Sequence, residues 1–176
     1  MPFITANGIS QHYELTGDGP KTMVWVHGIG SKLETWATTT PQFPGYRHLT
    51  YDVRGMGESG HEDGPVSLST WARDLDALME ALGIPRAIVA GHSMGGAISQ
   101  RFTIDFPNRV EGLLLFATSS RVGVALAGGW LKRAAEFEAA GNRAMAETNR
   151  AVAAYRMDEG LKRITAPTLI LVGDID

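Results

Sequence analysis

The stretch Ala90-Gly91-His92-Ser93-Met94-Gly95-Gly96 decides the fold of this chain. The apolar run 87–89 before it is typical of a buried strand, and the residues after it begin a helix. The spacing Gly91-x-Ser93-x-Gly95 matches the G-x-S-x-G nucleophile elbow, a strained strand-to-helix turn that exposes a serine hydroxyl. Side chains at positions 91 and 95 would collide with the neighbouring strand and helix, whose first backbone N–H groups could face a developing oxyanion. The alternative for the pentapeptide alone is a glycine-rich turn that happens to contain a serine.

The composition is that of one globular domain. The chain has 176 residues, of which 44% are hydrophobic and 20% charged, which is enough for a single core. Its net charge of −3 argues against nucleic acid as a partner. The absence of cysteine excludes disulfides, thiolate metal sites and a cysteine nucleophile. No signal peptide and no apolar stretch of membrane-spanning length is visible, so we expect a cytoplasmic protein with no membrane partner.

Strand and helix patterns alternate on both sides of the elbow. Asn7-Gly8 predicts a tight hairpin between two short strands, and the apolar run 23–26 predicts a strand buried on both faces. Apolar residues at helical spacing predict a helix over 68–82, and another apolar strand follows the elbow helix at 110–116. This alternation predicts an α/β fold, with a mostly parallel sheet and helices on both of its faces.

Two further loops are expected to meet the elbow. Parallel strands end at the same edge of a sheet, so the loop His27-Gly28-Ile29-Gly30 and the loop that starts at Asp52 should converge on Ser93. We interpret the histidine of the first loop as a brace that hydrogen-bonds the loop, rather than as a general base. Asp52 and Arg54 are interpreted as a structural pair that pins the second loop.

A glycine-rich run in the second loop, Gly55-x-Gly57-x-x-Gly60, formally matches the dinucleotide-binding fingerprint. That fingerprint needs a helix starting at its last glycine, whereas loop sequence follows at 61–65. We therefore reject a nucleotide cofactor, and we expect no cofactor and no metal. His12 is interpreted as a strand residue that faces solvent or a neighbour.

The segment 120–163 differs in character, because alanine, arginine and glutamate dominate it and apolar residues recur at helical spacing. We expect two or three helices here, inserted between strands as a lid over the ligand edge of the sheet. Trp130, Phe137 and Tyr155 could shape a pocket, but their spacing favours packing. The predicted organisation is a single domain with a core at 1–119, a helical lid at 120–163, and a strand with an acid loop at 164–176.

These pieces together resemble the alpha/beta-hydrolase family over essentially the whole chain. Four blocks in order carry the resemblance: His27-Gly28-Ile29-Gly30 with Trp36, then 52–59, 91–96 and 166–176. Residues 116–123 are similar to the segment that leads into the lid of 3-oxoadipate enol-lactonases. Within the family, the likeness is therefore to the enol-lactonase and small-ester hydrolase branch.

The resemblance implies a role for each site residue. It makes Ser93 the nucleophile and the backbone N–H groups of Ile29 and Met94 the oxyanion hole. It makes Asp176 the acid of the triad, with Asp174 as the less favoured candidate. The family places the triad histidine after this acid, and none of the five histidines of this chain occupies that place. The last strand and helix of the family are missing as well, so we expect an exposed sheet edge that could support a homo-oligomer.

The predicted function is hydrolysis of a small carboxylic ester or lactone by a serine hydrolase. Two alternatives stay open. A non-catalytic or inactive truncated homologue would fit the missing histidine, because losing one triad member costs on the order of 10⁴–10⁶ in rate. A cofactor-free haloperoxidase-like enzyme would use the same scaffold without hydrolysis. A haloalkane dehalogenase is disfavoured, because that branch has aspartate where this chain has Ser93.

Overall fold

The computed structural model describes residues 2–173, which form a seven-stranded sheet with helices packed on it. The strands are β1 (Phe3–Ala6), β2 (Ile9–Thr16), β3 (Lys21–Val26), β4 (Tyr46–Tyr51), β5 (Ala87–His92), β6 (Val110–Phe116) and β7 (Thr168–Leu171). Their order across the sheet is β1-β2-β4-β3-β5-β6-β7. Strands β3 to β7 are parallel, while β1 and β2 are antiparallel to their neighbours. The predicted α/β class with a mostly parallel sheet is confirmed.

The two faces of the sheet are covered differently. The helices are α1 (Leu68–Ala81), α2 (Met94–Asp105), α3 (Val124–Ala139), α4 (Arg143–Ala154) and α5 (Asp158–Leu161). Helices α1 and α2 bury their apolar sides against the face that carries Val24 and Val89. On the opposite face, Trp36 of the 3₁₀ turn Leu33–Trp36 packs on Trp25, with ring centroids 5.0 Å apart. Within residues 2–173, such short turns therefore take the place of a long helix on this second face.

The ends of α1 follow from its sequence. The Ser67 hydroxyl accepts a hydrogen bond from the N–H of Thr70 at 3.2 Å, which satisfies one of the free donors of the first turn. Gly83 follows the helix with φ of 64°, a backbone conformation that glycine adopts without strain. Between these ends, Trp71 and Leu75 are fully buried against the sheet. The predicted helix over 68–82 is thus confirmed to within one residue at its end.

The N-terminal hairpin turns at Asn7-Gly8, as predicted. Strands β1 and β2 pair with Ala6 opposite Ile9, which leaves a two-residue loop. φ is 47° at Asn7 and 80° at Gly8, and a type I′ turn requires positive values at both positions. The hairpin also brings the carbonyl of His12 to the N–H of Asp52 at 3.0 Å. The first strands therefore reach the loop that follows β4.

Strand β7 is an edge of the sheet in the described part of the chain. It pairs with β6, where Leu114 lies opposite Leu169 and Phe116 lies opposite Leu171. The side chains of Leu169 and Ile170 are 53% and 63% exposed. The exposed edge that the sequence predicts is therefore present among the residues that the structure describes.

Helices α3, α4 and α5 lie between β6 and β7 in the chain. Helix α3 is mostly exposed, since its one buried residue is Ala134 and Leu131 on the outside is 53% exposed. Helix α4 is more deeply packed, with Thr148 and Asn149 almost fully buried. None of the helices described here combines the length and the apolar character needed to cross a membrane.

Candidate active site

Ser93 stands alone between the last residue of β5 and the first residue of α2, in a strained conformation. Its φ is 53° and its ψ is −121°, values that cost a non-glycine residue about 1–3 kcal/mol. Two hydrogen bonds from the surrounding chain to the Ser93 backbone hold this conformation. Its N–H donates to the carbonyl of Phe116 at 3.0 Å, and its carbonyl accepts from the Thr118 hydroxyl at 2.6 Å. The strained turn that the G-x-S-x-G spacing predicts is therefore present.

The glycines around the serine are required by close backbone contacts. A Cβ at Gly91 would lie 2.5 Å from the carbonyl carbon of Gly95 and would overlap the Ser99 hydroxyl. A Cβ at Gly95 would overlap the carbonyl of Val26 and lie 2.5 Å from the carbonyl oxygen of His27. The predicted collisions at positions 91 and 95 are confirmed, and they show that the end of β3 abuts the start of α2.

The loop after β3 reaches the serine directly. A Cβ at Gly28 would lie 3.4 Å from the Cβ of Ser93, so this loop runs beside the elbow. Ile29, Ser93 and Met94 line one cavity. The N–H groups of Ile29 and Met94 donate no hydrogen bond to any group within residues 2–173. Two free donors beside a serine hydroxyl are an arrangement that can stabilise an oxyanion.

His27 braces this loop, as predicted. Its side chain is completely buried, its Nδ1–H donates to the carbonyl of Gly28 at 2.8 Å, and its Nε2 accepts from the N–H of Val53 at 3.0 Å. Burial lowers the pKa of His27, against the smaller opposing effects of the Gly28 carbonyl and the Asp52 carboxylate. The ring is therefore neutral and holds the loops after β3 and β4 together.

Asp52 is the second buried link between these loops. Its Oδ1 accepts from the N–H of Leu33 at 2.8 Å, and its Oδ2 accepts from the N–H of Glu58 at 2.8 Å. Its Oδ2 also pairs with Nδ1 of His12 at 2.8 Å. For His12 the sequence leaves solvent or a neighbour open, and the structure shows the neighbour: the residue is 2% exposed and belongs to this network.

The predicted pair of Asp52 with Arg54 is wrong. Arg54 makes a two-pronged hydrogen bond to Asp74 of α1, with Nε and Nη2 donating at 2.7 and 2.6 Å. The pairing with Asp74 raises the pKa of Arg54 above its ordinary value. The carboxylate of Asp52 is already engaged by His12 and by two backbone N–H groups, so Arg54 pairs with the helix instead.

The remaining candidates for the triad and for a metal site are as follows in the structure. Asp176 and Asp174 lie outside the described residues. His92 is exposed beside the elbow, and no histidine within residues 2–173 hydrogen-bonds to the Ser93 hydroxyl. Over the same range, no three histidine, aspartate or glutamate side chains are grouped to hold a metal ion.

Two neighbouring cavities share Ile29 and Trp130 as lining residues. The serine cavity has a volume of about 450 Å³ and is lined by Ile29, Ser93, Met94, Arg121, Trp130 and Tyr155, among others. The distal cavity has a volume of about 470 Å³ and is lined by Ile29, Trp130, Arg133, Phe137, Met145 and Asn149, among others. Trp130, Phe137 and Tyr155 line these cavities, and Trp130 and Tyr155 also pack against the hydrophobic core, as their spacing predicts. Helical spacing alone could not show the cavities, because their walls come from several elements.

The chain is similar to known proteins of one fold family. The model of the alpha/beta hydrolase fold family matches residues 21–159. The chain is 31% identical over 133 residues to 3-oxoadipate enol-lactonase 2 of Acinetobacter baylyi, covering 74% of this chain and 49% of that protein. It is 33% identical over 140 residues to putative carbamate hydrolase RutD of Azorhizobium caulinodans, covering 77% of this chain and 49% of that protein. The chain therefore spans about half the length of these curated relatives.

Solved structures of hydrolases share this fold. A hydrolase from Pseudomonas aeruginosa PA01 superposes with a TM-score of 0.87 at 28% identity, covering 98% of this chain and 79% of that one. The enol-lactonase from Burkholderia xenovorans LB400 superposes with a TM-score of 0.85 at 26% identity, covering 98% of this chain and 81% of that one. From the match to the family model, the strand order and the elbow at Ser93, we conclude that this chain belongs to the alpha/beta hydrolase fold family.

Proposed function

We propose that this chain is a serine hydrolase of small carboxylic esters or lactones, with Ser93 as its nucleophile. One observation carries the proposal. Ser93 is held at φ 53° beside two backbone N–H groups, those of Ile29 and Met94, that have no partner within residues 2–173. The three residues line one cavity of about 450 Å³. A strained serine beside free donors is the arrangement that acyl transfer needs.

In the proposed reaction, the Ser93 oxygen attacks the carbonyl carbon of the substrate while a base removes the hydroxyl proton. The tetrahedral oxyanion then lies between the N–H groups of Ile29 and Met94. Its collapse breaks the bond to the leaving alcohol oxygen, which takes up the proton, and leaves an acyl group on Ser93. Water then releases the acid by the same route.

The base in this scheme is a histidine oriented by Asp176. We assign it to none of the five histidines of the chain, because none of them hydrogen-bonds to the Ser93 hydroxyl within residues 2–173. Three of them, His12, His27 and His48, are engaged in buried hydrogen bonds elsewhere. A protein without this base would react slowly, so a non-catalytic homologue is the second candidate function. The observation that favours it is the Ser93 hydroxyl, which has no hydrogen-bond partner among residues 2–173.

The substrate class is supported by the lining of the site and by the relatives. The serine cavity is lined mainly by apolar side chains, and Arg121 is the one charged residue that lines it in the described part of the chain. The relatives include a protein named as an enol-lactonase and one named as a putative carbamate hydrolase. In both substrates, by name, the group attacked is a carbonyl carbon bonded to a heteroatom.

The experiment is intact-mass spectrometry after treatment with a fluorophosphonate. We expect one adduct on the unmodified chain and none on Ser93→Ala. The matched control is Ser119→Ala, because Ser119 lines the same cavity and its loss should leave the adduct in place. An adduct that persists in Ser93→Ala would remove Ser93 as the nucleophile. No adduct on the unmodified chain would favour the non-catalytic homologue.

Further predictions accompany this proposal. Segment 120–163 acts as a lid, which is supported by Trp130 of α3 and Val152 of α4, since both line the serine cavity. The core at 1–119 and the strand with its acid loop at 164–176 then form one domain beneath it. The exposed edge of β7 pairs two copies of the chain, which sedimentation equilibrium at rising protein concentration would test. A cytoplasmic location and the absence of nucleic acid as a partner stay predictions.

A further inference from the structure

The distal cavity borders the serine cavity. Ile29 and Trp130 line both cavities, so the two share a wall beside the elbow. A ligand whose carbonyl lies at Ser93 therefore has this second space next to it, on the far side of Trp130. The distal cavity is lined mainly by apolar groups, which include Phe137 and Met145.

One polar side chain in the distal cavity is incompletely bonded. Asn149 of α4 is 1% exposed, and its Nδ2 donates to the carbonyl of Met145 at 2.7 Å. Its Oδ1 is buried and has no hydrogen-bond partner within residues 2–173. The amide cannot be turned over to relieve this, because its oxygen would then face the carbonyl oxygen of Met145. A buried acceptor without a donor is costly, so a donor brought by a ligand would bind favourably here.

The charges at the rim do not favour an ionic ligand. Arg133 and Glu136 both line the distal cavity, are exposed, and carry opposite charges. The Arg133 guanidinium also stacks over the ring of Trp130, with its central carbon 5.2 Å from the ring centroid. A carboxylate at this end would bring further acceptors towards the Asn149 oxygen, whereas a neutral hydroxyl or amide would bring a donor.

We propose that the distal cavity binds the remote end of the substrate, and that Asn149 Oδ1 accepts a hydrogen bond from a hydroxyl or amide N–H there. This rests on the proposed function, because it takes the Ser93 cavity as the place of the reacting carbonyl. The substrate class becomes narrower: a small ester or lactone with an apolar body and a neutral hydrogen-bond donor at the end remote from the carbonyl. Asn149 is then a specificity-determining residue that does not touch the reacting atoms.

The test uses pairs of fluorophosphonates whose alkyl tails end in a hydroxyl or in a methyl group, over a series of tail lengths. The rate of adduct formation gives a hydroxyl-to-methyl ratio for each length. At the length that reaches Asn149, we expect this ratio to fall by about tenfold in Asn149→Leu, since the leucine leaves the hydroxyl without an acceptor. Thr148→Val is the control, because Thr148 is an equally buried neighbour on α4 outside both linings, and its ratio should be unchanged.

A second variant and a second measurement separate the possible failures. Asn149→Asp keeps an acceptor and should keep the preference for the hydroxyl tail, even if either variant is less stable. The second measurement is calorimetric binding to Ser93→Ala, which needs no reactive serine. The ligands are methyl esters of alkanoic acids of equal length, with and without a hydroxyl at the far end. Their affinities are compared with and without the additional change Asn149→Leu. Absence of labelling by every probe would therefore count against the proposed function alone. Hydroxyl-to-methyl ratios that Asn149→Leu leaves unchanged, in labelling and in calorimetry, would overturn the proposed subsite.

Discussion

The Thr118 hydroxyl donates a hydrogen bond to the carbonyl oxygen of Ser93 at 2.6 Å. It thereby holds the strained serine from the loop after β6. The same carbonyl accepts from the N–H of Gly96 in α2 at 3.0 Å, so donors from two different elements fix the plane of the peptide that joins Ser93 to Met94. The direction of the Met94 N–H depends on that plane.

Thr118→Val should therefore disturb the elbow more than the loss of one hydroxyl would suggest. We expect a loss of about 1–2 kcal/mol in the free energy of unfolding, since the Ser93 carbonyl loses a donor. We also expect about tenfold slower labelling of Ser93 by a fluorophosphonate, because the nearby N–H is no longer held in place. Thr118→Ser keeps the hydroxyl and should retain most of both quantities. Equal labelling rates for the valine and serine variants would contradict this role.

Gly95→Ala should unfold the chain or nearly so. Its Cβ would overlap the carbonyl of Val26 at the end of β3, and Val26 is held by its pairing with β4 and β5. We expect a loss of several kcal/mol in urea unfolding. The matched control is Gly128→Ala in the exposed helix α3, where a Cβ meets nothing within 4 Å. That change should stabilise the chain by about 0.5–1 kcal/mol, and a similar cost at both positions would refute the steric explanation.

Arg54→Met should cost about 3–5 kcal/mol in the free energy of unfolding, because it leaves the carboxylate of Asp74 buried without its cation. Both side chains are nearly inaccessible, at 5% and 2% exposure. The double variant Arg54→Met with Asp74→Leu should recover part of the loss in the same urea experiment. Arg109→Met, whose partners Asp76 and Glu80 lie nearer the surface, is the control and should cost less than about 1 kcal/mol. Equal effects at the two arginines would contradict this argument.

His27 should make stability depend on pH. Burial lowers the pKa of His27 in the folded chain below its ordinary value of 6.5, which applies after unfolding. Below pH 6.5 the unfolded chain thus binds more protons at this position than the folded chain, and stability falls as the pH falls. Urea unfolding between about pH 5 and pH 8 measures this slope.

His27→Gln should flatten that slope while lowering stability at every pH, because the Val53 N–H loses its acceptor. His48 contributes a slope in the same direction, since burial lowers its pKa as well. The His48→Gln variant therefore serves as the comparison, and the double variant should be flatter than either single one. A slope unchanged by His27→Gln would mean that the ring is already free to accept a proton in the folded chain.

The elbow and the order of elements could be predicted from the sequence, because both depend on local spacing. The glycines at 91 and 95 indicate that strand and helix backbones approach closely there, which any residue with a side chain would prevent. The apolar run 23–26 reports burial on both faces of the sheet. Such patterns need no knowledge of distant residues, and the structure confirms them.

The partners of Asp52 and Arg54 could not be predicted in the same way. Arg54 is separated from Asp74 by 20 positions, and His12 is separated from Asp52 by 40, so each pair depends on how strands and helices come together. For both residues, the opposite charge nearest in sequence is not the partner in the structure. The two cavities depend likewise on how α3 and α4 lie over the elbow, which helical periodicity does not specify.

Trp130, which borders both cavities, gives the protein an optical reporter. The chain has four tryptophans, and the other three, Trp25, Trp36 and Trp71, are all less than one-tenth exposed. A dissolved quencher such as iodide therefore reaches Trp130 far more readily than the other indoles. A compound that occupies either cavity shields this ring and removes the quenchable part of the emission. The fluorescence of the native chain can thus follow occupancy of the site without a label and without turnover.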